Sequence, residues 1–211
     1  ELQALCLEAG QTRFRGDQIF EWMYRHGISS FDLMLNVNKS FREHLEDNYI
    51  LQTLQVEKRM PSKLDNSIKI LFKTQDNHFI ETVSMVDGDR HTVCISSQVG
   101  CALDCSFCAT GRLGLKRNLS TGEIVDQLIY IRGNIDHPIT NVVFMGMGEP
   151  FHNYDNVLNA ADIFHSPKGF NLGSTRITIS TAGILPQIKQ FIDEKRRYKL
   201  AISLNASDDG V

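Results

Sequence analysis

Long apolar runs, a leader segment and a surplus of positive charge are all missing from this sequence. No uninterrupted apolar stretch approaches the ~18 residues that a membrane-crossing helix needs, so no membrane association is expected. The first ten residues, ELQALCLEAG, carry no basic segment ahead of an apolar one. A secretory leader is therefore not expected, and the cytoplasm is the expected location. The formal net charge is −3, which argues against a protein that coats nucleic acid by bulk charge. Local basic groups remain at Arg112, Lys116 and Arg117 and at Lys195, Arg196, Arg197 and Lys199. Charged runs of this kind are most often solvated faces, although the first is also a candidate for phosphate contacts. Internal repeats and low-complexity tracts are absent too.

The five cysteines are an odd number, which does not suit a disulfide framework and points instead to metal or redox chemistry in a reducing compartment. With 42% hydrophobic residues over 211 positions, the chain has enough apolar content for a packed core. It lacks an initiator Met and stops after a strand-like segment, so it is read as a fragment.

Periodicity divides the chain into three parts. Residues 1–60 read as a helical accessory domain, with helices expected at 17–25 and 39–48 and a boundary at Pro61. Residues 61–90 read as a β extension, with strands at 67–73 and 78–85 and a turn at Asp87-Gly88-Asp89. From 91 to 211, strands at 91–97, 140–146, 174–180 and 198–204 alternate with helices at about 121–132, 155–164 and 184–195. This alternation implies an α/β fold with buried parallel strands. Four such strands do not close a barrel, and they suit either an open sheet or half of a barrel.

The chemistry concentrates in Cys101-Ala-Leu-Asp-Cys105-Ser-Phe-Cys108. Three thiolates from one loop can converge on one metal centre. A closed structural zinc site takes four ligands, as does a fully ligated iron–sulfur cluster, and no fourth Cys or His has ligand-like spacing. Three ligands leave one coordination position open. The loop lies between a strand and a helix, at the end of a parallel strand where ligands bind in α/β folds. Gly146-Met147-Gly148-Glu149-Pro150 follows the next strand. Alone it would be an ordinary turn. Ser180, Ser203 and Asn205 lie at the ends of the later strands, where simple capping is the plain alternative.

The CxxxCxxC spacing, with Phe107 before the last Cys, resembles the radical S-adenosylmethionine (SAM) superfamily. The segments 94–101, 107–111, 115–119, 122–127, 144–150 and 179–183 resemble its adenine-C2 methyltransferase family, and Phe14 to Tyr24 resembles that family's N-terminal helical domain. The resemblance implies a partial (β/α)6 barrel, truncated after its fourth βα strand and preceded by a small helical domain and a short β extension. It implies a [4Fe–4S] cluster on Cys101, Cys105 and Cys108. SAM would contact Gly148, Glu149, Ser180, Ser203 and Asn205; the last is often His in the family. It also implies Glu81 as general base and Cys94 as resolving cysteine, although as isolated residues these would pass for an ordinary strand glutamate and a buried strand thiol.

The implied activity is methylation of adenine C2 in 23S rRNA and in tRNA by a monomer, with electrons from a flavodoxin or ferredoxin. A methyl-cysteine carries the methyl group, and its turnover leaves a disulfide. The family's methyl-accepting cysteine lies beyond Val211, so the 211 residues alone are expected to be inactive. Two alternatives share parts of this pattern: an antibiotic-resistance methyltransferase acting at C8, and a non-catalytic zinc-binding module for RNA or protein.

Overall fold

The computed structural model describes residues 1–204. Helices α1 (Leu2–Glu8), α2 (Arg13–Glu21) and α3 (Lys39–Asn48) form the N-terminal part, and a π-helical turn over Trp22–His26 extends α2. Asn38 caps α3, its side-chain oxygen accepting from the Phe41 amide at 2.8 Å, the ordinary way to satisfy a first-turn donor. Cys6, Ile19, Phe31, Met34, Phe41 and Leu45 fill a small core of their own. Burial raises the Cys6 thiol above its usual pKa, as expected for a packing cysteine.

The sheet has seven strands in the order β1-β2-β3-β4-β7-β8-β9. Strands β1 (Gln55–Pro61), β2 (Ile68–Lys73), β3 (Phe79–Asp87) and β4 (Arg90–Cys94) run antiparallel. A two-residue ribbon, β5 (Gln98–Val99) with β6 (Arg117–Asn118), interrupts the chain. Then α4 (Thr121–Asn134), β7 (Asn141–Phe144), α5 (Tyr154–His165), β8 (Ile177–Thr181), α6 (Leu185–Asp193) and β9 (Lys199–Ile202) alternate, with β4, β7, β8 and β9 parallel.

Two expectations need correction. The segment before Pro61 is not helical throughout, because β1 begins at Gln55. Its exposed residues lack alternation, as befits an edge strand with little to bury. The strand expected over 91–97 ends at Cys94. Beyond it the chain turns to bond the loop after β7, with Ser97 N–H donating to Met147 O at 2.9 Å.

The helices lie on one face. Ile70, Phe72, Ile80, Val93, Val142, Phe144, Ile177 and Ile179 share a core with Ile124, Leu128, Val157 and Phe164. Strand alternation and register leave Lys69, Leu71, Glu81, Val83, Cys94, Val143, Thr178 and Ser180 on the opposite face. Helix α4 starts with a capping box: Ser120 and Glu123 exchange side-chain and backbone bonds at 3.2 and 2.9 Å. Arg132 near its end donates to Tyr24 O at 2.6 Å and stacks 4.3 Å over Phe170, joining the helical part to the core. No helix among the described residues is long and apolar enough to cross a membrane.

His91 is fully buried. Its Nδ1 faces His137 O at 2.9 Å and its Nε2 faces Ser84 Oγ at 2.7 Å, the pattern of a neutral ring. Burial lowers its pKa below the usual value. The folded state therefore binds fewer protons than the unfolded chain below about pH 6.5. Stability from this group is complete above that pH and falls as the pH drops toward the depressed folded-state value. The melting temperature is expected to fall between pH 7.5 and 5.5, and to fall less in His91→Gln. An identical pH dependence in the variant would assign the loss to other groups.

Candidate active site at the strand ends

The ribbon β5–β6 carries the cysteine loop at the exit from β4. Cys101 is buried, and Cys105 and Cys108 are half-buried. A tight turn links the last two, Cys108 N–H donating to Cys105 O at 2.9 Å. Gly100 has φ +77°, and a Cβ there would overlap the Gly114 carbonyl oxygen. The loop's two ends thus touch where only glycine fits. Burial raises the Cys101 thiol, and the nearby Cys105, Glu149 and Cys108 push it further up.

The Gly-rich loop after β7 packs against this ribbon. Gly148 has φ +100°, and a Cβ there would come within 2.5 Å of the Gln98 side chain. Gln98 Oε1 accepts from the Glu149 amide at 2.8 Å, and its Nε2 donates to Asn118 at 2.7 Å. Asn153 Nδ2 donates to Ser97 O and Leu119 O at 2.8 and 2.7 Å. Glu149 is buried, with its carboxylate accepting from Phe151 N–H at 3.0 Å and Ala182 N–H at 2.8 Å. Each oxygen keeps a free lone pair. The carboxylate braces the β7 exit to the β8 exit as well as facing the cysteine loop.

Ser180 and Ser203, at the ends of β8 and β9, meet at 3.1 Å through their hydroxyls. Asn205 lies outside the described residues. Cys94 ends β4; burial raises its thiol, and a hydrogen bond from the Met145 backbone opposes this. Glu81 sits on β3, two residues from Val83, the cross-strand partner of Cys94. Both side chains therefore lie on the face away from the helices. Glu81 pairs with Lys69 at 3.0 Å, both partly exposed.

Several supporting residues were not singled out from the sequence. Gln127 is fully buried on α4 and makes four bonds: it accepts from Thr82 Oγ1 (2.7 Å) and Ser96 N–H (2.8 Å), and donates to Ser96 O (3.0 Å) and Glu123 O (3.2 Å). Ser96 Oγ in turn donates to Glu81 O at 2.6 Å and accepts from Met147 N–H at 2.9 Å. The available signal was a glutamine on the apolar stripe Ile124, Leu128, Ile131.

The expectation that Arg117 contacts phosphate needs correction. Its guanidinium is bidentate to Asp76 (2.7 Å) and also grips Glu123 (2.8 Å). These partners raise its pKa, and Arg117 holds Asp76 far below the usual carboxylate range. Arg112 and Lys116 remain exposed. Two cavities of about 380 and 470 Å³ lie between the helical part and α4–α5, away from these residues.

The radical SAM superfamily model matches residues 95–211, more than half of the chain. The chain belongs to the radical SAM superfamily. A second model, for the N-terminal domain of ribosomal RNA large subunit methyltransferases, matches residues 1–51. A curated relative from Aquifex aeolicus, the probable dual-specificity RNA methyltransferase RlmN, is 44% identical over 98% of this chain and 60% of its own length. The proteins of the same name from Bacillus velezensis and Staphylococcus aureus are 44% and 42% identical over 98% and 100% of this chain and 57% and 58% of theirs. The crystal structure of a radical SAM methyltransferase from Sphaerobacter thermophilus superposes with a TM-score of 0.92 and 42% identity, over 99% of this chain and 62% of that one. The chain thus spans about three fifths of the length of the curated relatives it matches.

The superfamily implies a [4Fe–4S] cluster and SAM, and the donor chemistry here suits them. Three free thiols occupy one loop. As the side chains stand, no group of three His, Cys, Asp or Glu among the described residues closes on a common point. All five cysteines are free, so nothing among the described residues supports the disulfide that the resemblance implied.

Proposed function

We propose that this radical SAM chain is the cluster- and SAM-binding part of an RNA methyltransferase acting on adenine C2 in 23S rRNA and tRNA. One juxtaposition supports this above all: the cysteine loop, the Gly-rich loop and the Ser180–Ser203 pair ring the same strand ends, while Glu81 and Cys94 share the adjoining face. The relatives named as dual-specificity RNA methyltransferases agree with it.

In this reading Cys101, Cys105 and Cys108 hold the cluster, and Gly148, Glu149, Ser180, Ser203 and Asn205 position SAM. Cluster and SAM together supply one-electron cleavage of SAM, the radical source that an electron-poor aromatic carbon requires. The buried carboxylate of Glu149, with lone pairs to spare, suits the SAM ammonium. Glu81 takes the C2 proton, and its ion pair with Lys69 fixes the carboxylate on the open face. Cys94 serves as the resolving thiol that frees the methylated base from the carrier cysteine. Its burial keeps it a thiol until then. A small flavodoxin- or ferredoxin-type protein supplies the electrons, in the cytoplasm where the RNA substrates are.

Anaerobic reconstitution with iron and sulfide, followed by EPR with and without SAM, tests the cofactor assignment. A [4Fe–4S]⁺ signal altered by SAM is expected, whereas one tightly bound zinc and no cluster would overturn it. Mass spectrometry of nucleosides from RNA treated with the full-length enzyme is expected to give 2-methyladenosine. The C8 isomer instead would move the chain to the resistance class.

A further inference from the structure

The face that carries Glu81 and Cys94 continues without a break onto the β extension. Cross-strand register puts Lys58, Leu71 and Glu81 in one row, Lys69, Val83 and Cys94 in the next, and Lys73 beside Phe79 at the far end. The other face of the same strands is buried against α4, Phe72 meeting Tyr130 edge-on at 5.3 Å. On the open face Lys69 is paired with Glu81. Lys58 and Lys73 take part in no salt bridge among the described residues, and Phe79 is 45% exposed.

The extension is also tied to the cysteine loop. Asp76, in the turn between β2 and β3, is clamped by Arg117 of β6. That clamp joins β6, which the exposed Lys116 directly precedes, to the β2–β3 turn, and Lys73 and Phe79 stand at the strand ends flanking that turn. Cations and one exposed ring thus line a path from the edge strand to the loop.

We propose that this lane, Lys58, Lys73 and Phe79 leading to Lys116, is the track along which a single-stranded segment of the RNA substrate approaches the site. The inference rests on the RNA-methyltransferase reading and adds residues to it. Unpaired cations match phosphates, and an exposed aromatic ring gives an unstacked base a platform. A chain with net charge −3 has to gather its positive charge locally to hold a polyanion.

The test is fluorescence anisotropy of a labelled RNA hairpin with an adenine in its loop, titrated with the full-length enzyme at several salt concentrations. In Lys58→Ala/Lys73→Ala, the slope of log affinity against log salt is expected to shrink by about 1.4, at ~0.7 per phosphate contact on a single strand. Affinity is expected to fall roughly tenfold at low salt. Phe79→Ala is expected to weaken binding about tenfold with the slope unchanged, as loss of one stacked base does. Lys58→Arg/Lys73→Arg should keep the wild-type slope, and Lys63→Ala, in the turn at the opposite end of the extension, should leave it unchanged. Wild-type affinity and slope in Lys58→Ala/Lys73→Ala, together with wild-type affinity in Phe79→Ala, would overturn the lane and leave the RNA reading intact. No binding by the wild type would overturn the RNA reading itself.

Discussion

Cys105→Ala is expected to abolish the reconstituted cluster: no [4Fe–4S]⁺ EPR signal with or without SAM, and loss of the brown chromophore. Three thiols are all the loop provides, so the variant is left with two. SAM cleavage should fall by far more than the ~10–100-fold lost when only an outer partner of a metal site is removed. The fold should survive. Cys105 contributes its backbone carbonyl to the loop turn, and that bond to Cys108 N–H does not involve the side chain. The melting temperature of the metal-free variant is therefore expected to match that of the metal-free wild type. A persistent SAM-sensitive signal in Cys105→Ala would move the cluster to another ligand set.

Gln127→Leu is expected to produce the largest loss of stability, about 3–5 kcal/mol read from the urea midpoint. Leucine fits the volume, but it leaves Thr82 Oγ1 and the amide and carbonyl of Ser96 without partners inside a closed core. Each buried orphan costs ~1–3 kcal/mol. Against a typical total of ~5–15 kcal/mol this approaches unfolding. A local effect should accompany it. Ser96 ties the Glu81 backbone to Met147 of the Gly-rich loop, so residual folded protein should bind SAM more weakly. A midpoint unchanged in Gln127→Leu would mean that ordered water replaces the amide.

The parallel strands and their helices were legible because each βα unit is local. β-branched strands at 140–146 and 174–180 announce themselves by composition, and the helices follow with their own period, although only one face of each strand is fully buried. Small differences appear at the ends, such as the 3₁₀ turn at Ser174–Arg176 ahead of β8. Strand β1 was hidden because an edge strand with exposed residues has no hydrophobic alternation to display. The ribbon β5–β6 was hidden because its two strands are two residues each and are separated by the whole cysteine loop.

The candidate site divides in the same way. The sequence by itself determined the cysteine triad, the Gly-rich turn and their place at strand ends, because each is a short run whose spacing carries the chemistry. Tertiary structure decided which distant residues work together. Glu81 and Cys94 share a face only because Val83 pairs with Cys94, and a slip of one residue would send Glu81 to the helix side. Lys69 reaches Glu81 across β2 and β3, Gln127 closes a network spanning α4, β3 and the chain after β4, and Arg117 is taken out of reach of phosphate by carboxylates at positions 76 and 123. Such pairings depend on strand register and helix placement, which are set by burial summed over the whole core.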